Sequence, residues 1–174
     1  MKEYSILSLV GKDRPGIVDD VSAFLFDRGA NIEDSRMAYM GGCFSVMTLF
    51  SCESTQLEAI GRDLDELRNP GFQAFLHEAR DPTTSPARRE SPFKIEVTAM
   101  DHPGIVQNLV HILRTYDANI VSLTTEVLRA PHFGTPLLDL ELEAAMPSEK
   151  PMAGLKDELA ELAEDLNLDL TFLR

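Results

Sequence analysis

Asp13-Arg14-Pro15-Gly16-Ile17-Val18 returns 88 positions later as Asp101-His102-Pro103-Gly104-Ile105-Val106. These residue types suit the capture of a small zwitterion. A glycine at a chain bend lets a guest approach the backbone closely. The unpaired N–H groups of a first helical turn attract a carboxylate. Asp13, Asp101, Asn31 and Asn119 offer oxygens to an ammonium or amide. The same residues also read as ordinary helix-start chemistry, with aspartate as cap and proline in the first turn. Arg14 is charged at neutral pH, whereas His102 at its usual pKa is mostly neutral, so the two copies need not take the same ligand.

Other chemistries find little support. The sequence has no Gly-rich phosphate loop, nucleophile elbow or His/Cys metal cluster, so no enzyme activity, cofactor or metal is expected. His77, His102, His111 and His132 are scattered, and Cys43 has no evident partner as a nucleophile. Cys43 and Cys52 are nine apart in one apolar run, which points them to opposite faces of a strand and argues against a disulfide between them. The net charge is -13, with 10 basic against 15 acidic residues in 1–90 and 6 against 14 in 91–174. Neither half has the basic footprint that direct nucleic-acid binding needs. No signal segment or membrane-length apolar run is read, and a cytoplasmic protein is expected.

The elements that must position the repeated motif follow from the hydrophobic periods. Phe93, Ile95, Val97 and Ala99 alternate with Lys94, Glu96 and Thr98, which predicts a strand; Tyr4 to Val10 predicts its counterpart. Ile17, Val21, Phe24 and Leu25, repeated as Ile105, Leu109, Ile112 and Leu113, form one helical stripe. Gly29 suits the left-handed residue after the last turn. A strand from Ile32 to Met40, a Gly41-Gly42 hairpin and a strand from Phe44 to Cys52 follow. Thr55-x-x-Glu58 reads as a capping box. The second helix carries Leu57, Ile60, Leu64 and Leu67, and its counterpart Leu155, Leu159, Leu162 and Leu166. Closing strands are expected at Phe72 to Glu78 and Leu168 to Phe172. In the second copy the hairpin connection, Ala130 to Pro136, is longer, and Asp139, Glu141 and Glu143 form an acidic strip.

The order is βαββαβ, twice, with Ala30-Asn31-Ile32 and Ala118-Asn119-Ile120 holding the same offset. The fold class expected is α+β, two ferredoxin-like domains in tandem, each a four-stranded antiparallel sheet with both helices on one face. The expected boundaries are 1–80 and 93–174, with a proline-containing linker at 81–92.

Strand, Asp-Arg-Pro-Gly-Ile, helix, Gly-Ala-Asn-Ile, strand resembles an ACT domain. Asn31-Ile32-Glu33-Asp34-Ser35-Arg36-Met37, with Gly134-Thr135-Pro136-Leu137 in the second copy, resembles the glycine cleavage system transcriptional repressor group. The resemblance implies amino-acid binding between the first loop and helix of one domain and the second-strand region of a neighbour. It makes Asp13, Arg14, Pro15, Gly16, Ile17 and Asn31 one candidate surface, and Asp101, His102, Pro103, Gly104, Ile105 and Asn119 the other. It further implies a glycine effector, with serine as a second choice, and an allosteric action on a protein partner such as a DNA-binding activator. A homodimer fits this picture. The competing expectation is an ACT-fold assembly module without ligand that acts on a separately encoded metabolic enzyme.

Overall fold

A computed structural model describes residues 2–68, 71–84, 90–129, 134 and 136–173. The chain divides into two compact units, with the division between residues 86 and 87. The first contains β1 (Lys2–Lys12), α1 (Ile17–Asp27), β2 (Asn31–Met40), β3 (Cys43–Glu53), α2 (Ser54–Arg62), α3 (Asp65–Arg68) and β4 (Gln73–Ala79). The second contains β5 (Glu90–Met100), α4 (Ile105–Thr115), β6 (Asn119–Arg129), β7 (Pro136–Pro147), α5 (Met152–Leu166) and β8 (Asp169–Leu173). Each unit holds one antiparallel sheet, ordered β2-β3-β1-β4 and β6-β7-β5-β8. This is the ferredoxin-like α+β fold, twice.

Strand alternation decides which face the helices cover. In β5, Phe93, Ile95, Val97 and Ala99 are buried with Leu138, Leu140 and Leu142 of β7, and Leu109 and Leu113 of α4 close over them. In the first unit Leu7 and Leu9 pack with Val46, Phe50, Val21, Leu25 and Ile60. The opposite faces differ. That of the first unit carries exposed Val10, Met47 and Phe75. That of the second carries Lys94, Glu96, Asp139, Glu141 and Glu143, with Lys94 ion-paired to Glu143.

Several local details depart from the sequence reading. Asp13 is not the cap of α1, and Pro15 is not in its first turn. The cap is Gly16, whose carbonyl accepts from Asp20 N–H at 2.9 Å, and the helix begins at Ile17. The capping box on α2 is formed by Glu53 and Gln56 rather than Thr55 and Glu58: Glu53 N–H donates to Gln56 Oε1 at 2.8 Å. The second helix of the first unit is interrupted after Arg62, yet Leu64 and Leu67 remain buried, because a turn at Asp63 keeps the apolar stripe facing inward. Glu90–Pro92, read as linker, are strand residues paired with Pro147–Ala145, and Pro82–Thr84 form a 3-10 turn. His132, Thr135, most of the Ala130–Pro136 connection and linker residues 85–89 lie outside the described residues.

Turn chemistry follows backbone sterics. Gly41 and Gly42 both have positive φ, 57° and 83°, as a tight hairpin turn requires. Gly29, at φ 73°, ends α1; at the matching place in the second unit Asp117 takes φ 53°. Aspartate is among the few L-residues that enter this region readily.

Candidate functional site

Each repeated motif forms the bend between the first strand and the first helix of its unit. Gly16 (φ 89°, ψ 1°) and Gly104 (φ 105°, ψ -16°) are both left-handed, and neither helix start has a side-chain capping bond. The main-chain donors of both first turns are thus not taken by a capping side chain. Ile17 and Ile105 are buried and anchor the helices, while Asp13, Pro15, Gly16, Asp101, Pro103 and Gly104 are exposed. The bends are held from behind: Asp13 N–H donates to Gly42 O at 3.0 Å, and Asp101 N–H to Pro136 O at 2.8 Å.

The two bends differ in what stands over them. Arg14 folds back along the first, donating to Pro15 O at 3.2 Å and pairing with Asp20. Its guanidinium carbon lies 5.3 Å from the Phe72 ring centroid, a cation–π contact. His102 Nδ1 lies 3.2 Å from Pro103 O. The first turn of α1 carries Asp19 and Asp20, whereas that of α4 carries no acid. Acids there favour the helix dipole but repel an incoming carboxylate. The sequence reading missed this difference, although Asp19 and Asp20 against Gln107 and Asn108 were in plain view.

The asparagines do not join the bends within a unit. Lys12, next to Asp13, pairs with Cys43, and Asn31 pairs with Ser51, eight residues along β3. At the rise of an antiparallel strand that is roughly 27 Å. Likewise Met100, beside Asp101, pairs with Leu137 and Asn119 with Ala145. The structure therefore brings together Asp13, Arg14, Pro15, Gly16 and Ile17, and separately Asp101, His102, Pro103, Gly104 and Ile105, and places Asn31 and Asn119 at the far end of each sheet. Asn31 belongs instead to a polar cluster at a bulge of β2. Its Nδ2 donates to Glu33 Oε1 at 3.3 Å, which also accepts from Ser51 Oγ at 2.5 Å and Lys2 Nζ at 3.2 Å. These donors, Ser51 first, hold the Glu33 carboxyl below the usual glutamate range.

Among the described residues no group of three or more His, Cys, Asp or Glu is arranged to hold a metal ion. No described helix is long and apolar enough to cross a membrane.

Comparison with known proteins adds a family. Residues 3–71 match the model of the ACT domain. The glycine cleavage system transcriptional repressor of Escherichia coli (strain K12) is 25% identical over 168 residues, 95% of this chain and 87% of its own. A UPF0237 protein of Streptococcus pneumoniae serotype 4 is 35% identical over 71 residues, 41% of this chain and 73% of its own. The crystal structure of an unknown protein from Galdieria sulphuraria superposes with a TM-score of 0.86 at 31% identity, covering 99% of this chain and 98% of that one.

Proposed function

The chain belongs to the ACT-domain family, and on that premise we propose that it is a non-catalytic regulator that binds a small amino acid at its Pro-Gly bends. The observation that carries this reading is the left-handed Gly16 and Gly104, each opening a helix that no side chain caps. A carboxylate there gains main-chain hydrogen bonds and the positive end of the helix dipole. The nearby Asp13 or Asp101 supplies the counter-charge for an ammonium.

The bend of the second unit is the stronger of the two. No acid stands in the first turn of α4, and His102 presents a ring in place of the Arg14–Asp20 pair. Glycine, the amino acid in the name of the Escherichia coli relative, is the favoured effector, with serine second. A cradle that also uses Asn31 or Asn119 draws the asparagine from a neighbouring ACT unit, and a homodimer is one way to supply it. Effector binding then biases that assembly, and a protein partner such as a DNA-binding activator reads the change. Coupling of about 1–3 kcal/mol is typical for such regulation. With a net charge of -13, direct binding to nucleic acid is disfavoured.

Calorimetry of the full chain against a panel of amino acids tests the reading. Saturable heat with glycine or serine, weakened by Asp101→Asn, is expected. Silence across the panel favours an assembly module without ligand.

A further inference from the structure

The sheet face turned away from the helices differs between the units residue by residue. In the first unit Ile6, Val10, Met47, Leu49 and Phe75 stand on it, and Met47 and Phe75 are each 52% exposed. The matching residues of the second unit, by the 88-residue offset in β5 and by strand register in β7 and β8, are Lys94, Thr98, Glu141, Glu143 and Thr171. The same fold thus tolerates a solvated face here, and the first unit keeps an apolar one. A contiguous apolar patch with a polar rim marks a surface that is covered by a partner.

The charges favour a second copy as that partner. The chain carries a net charge of -13, so two copies repel each other over most of their surfaces. The open face of the first unit is balanced, with Lys2, Lys12 and Arg36 against Glu33, Asp34 and Glu53. That of the second sets Lys94 against Glu96, Glu126, Asp139, Glu141 and Glu143. Two copies can meet without repulsion on the first of these faces and not on the second.

The relief of the first face is self-complementary. Ile6, Met47 and Leu49, with Ser35 and the ion-paired Asp34 and Arg36, line a hollow of about 200 Å³. Phe75 projects beside it, on one cross-strand row that runs from β4 through Ser8 and Met47 to Arg36. A two-fold axis between two such faces, running along β1, carries β4 of one copy over β3 of the other. Each Phe75 then enters the other copy's hollow, where the Arg36 guanidinium meets the ring. A four-stranded face of this length covers on the order of 650 Å² before side-chain relief is counted, close to the roughly 800 Å² per partner of a standard stable interface.

We propose that the open sheet face of the first unit binds the same face of a second copy. The two sheets close into a sandwich with the helices outside, their strands aligned to within about 30°. This interface involves neither the Pro-Gly bends nor an amino acid, so it stands or falls separately from the sensor reading.

Sedimentation of the full chain over a concentration series tests it. The parent dimerises. Met47→Glu and Phe75→Thr each introduce the residue type that the second unit already carries at the matching place; both melt like the parent and weaken dimerisation at least about tenfold. Met47→Lys and Phe75→Glu also dimerise weakly when alone. Their mixture forms a heterodimer tighter than either homodimer, because the new lysine of one copy faces the new glutamate of the other. A parent that stays monomeric at about 100 μM overturns the proposal and leaves the face to a different protein. Dimerisation unchanged in both Met47→Glu and Phe75→Thr, or a mixture no tighter than its components, overturns it as well.

Discussion

Gly16 and Gly104 stand 88 residues apart and share one backbone conformation, with φ of 89° and 105°. A Cβ at Gly16 meets only Arg14 Nη1, at 3.8 Å, so there is space for a side chain but a backbone that resists one. Had the glycine been at negative φ, a branched residue there would act on a ligand alone. At positive φ it acts on the fold first. Gly16→Val is expected to lower stability by about 1–3 kcal/mol, and Gly16→Asn by less, because asparagine tolerates this region. Urea unfolding of the two variants measures the difference; equal stability of parent and valine variant contradicts the conformation.

Gly11 is constrained by space instead. A Cβ built on it stands 2.3 Å from Cδ1 of Phe72, a buried core ring that also carries the Arg14 guanidinium on its face. Gly11→Ala therefore displaces the ring, with an expected cost of about 1–3 kcal/mol. Denaturant midpoints check this, and a neutral substitution contradicts the packing of Phe72.

The Glu33 cluster predicts a sign for pH. Its carboxyl is held low by Ser51, Asn31 and Lys2, so the folded chain binds that proton less readily than the unfolded one. The contribution to stability is present above the ordinary glutamate pKa and is lost as pH falls through the lowered value. Side-chain carbonyl NMR should find Glu33 titrating below a typical glutamate and moving up in Ser51→Ala. No movement in that variant removes Ser51 as the leading cause.

The cysteines should separate by reactivity. Cys43 is exposed on the hairpin, while Cys52 is buried and its thiol is pushed up by that burial. Because the thiolate is the reactive form, alkylation under native conditions should label Cys43 quickly and Cys52 only on unfolding. Equal rates by mass spectrometry contradict the burial of Cys52.

The sequence made the architecture legible because its periods are strong. The alternation of Phe93 to Ala99 and the stripe through Ile17, Val21 and Leu25 each land on buried faces. The interruption of the second helix was not legible, because Leu57, Ile60, Leu64 and Leu67 keep helical spacing across it. Caps were misplaced by a few residues at Asp13 and Thr55: several polar residues cluster at each helix start, and only the backbone decides which of them ends the loop. The distance between Asp13 and Asn31 left no trace, since it depends on strand register.

The most direct measurement is an amide NMR titration of the full chain with glycine. Saturable shifts are expected at the N–H groups of Ile105, Val106 and Gln107, with weaker ones at Ile17, Val18 and Asp19. No saturable shift at either helix start, or saturation confined to residues elsewhere, rules out amino-acid binding at the Pro-Gly bends.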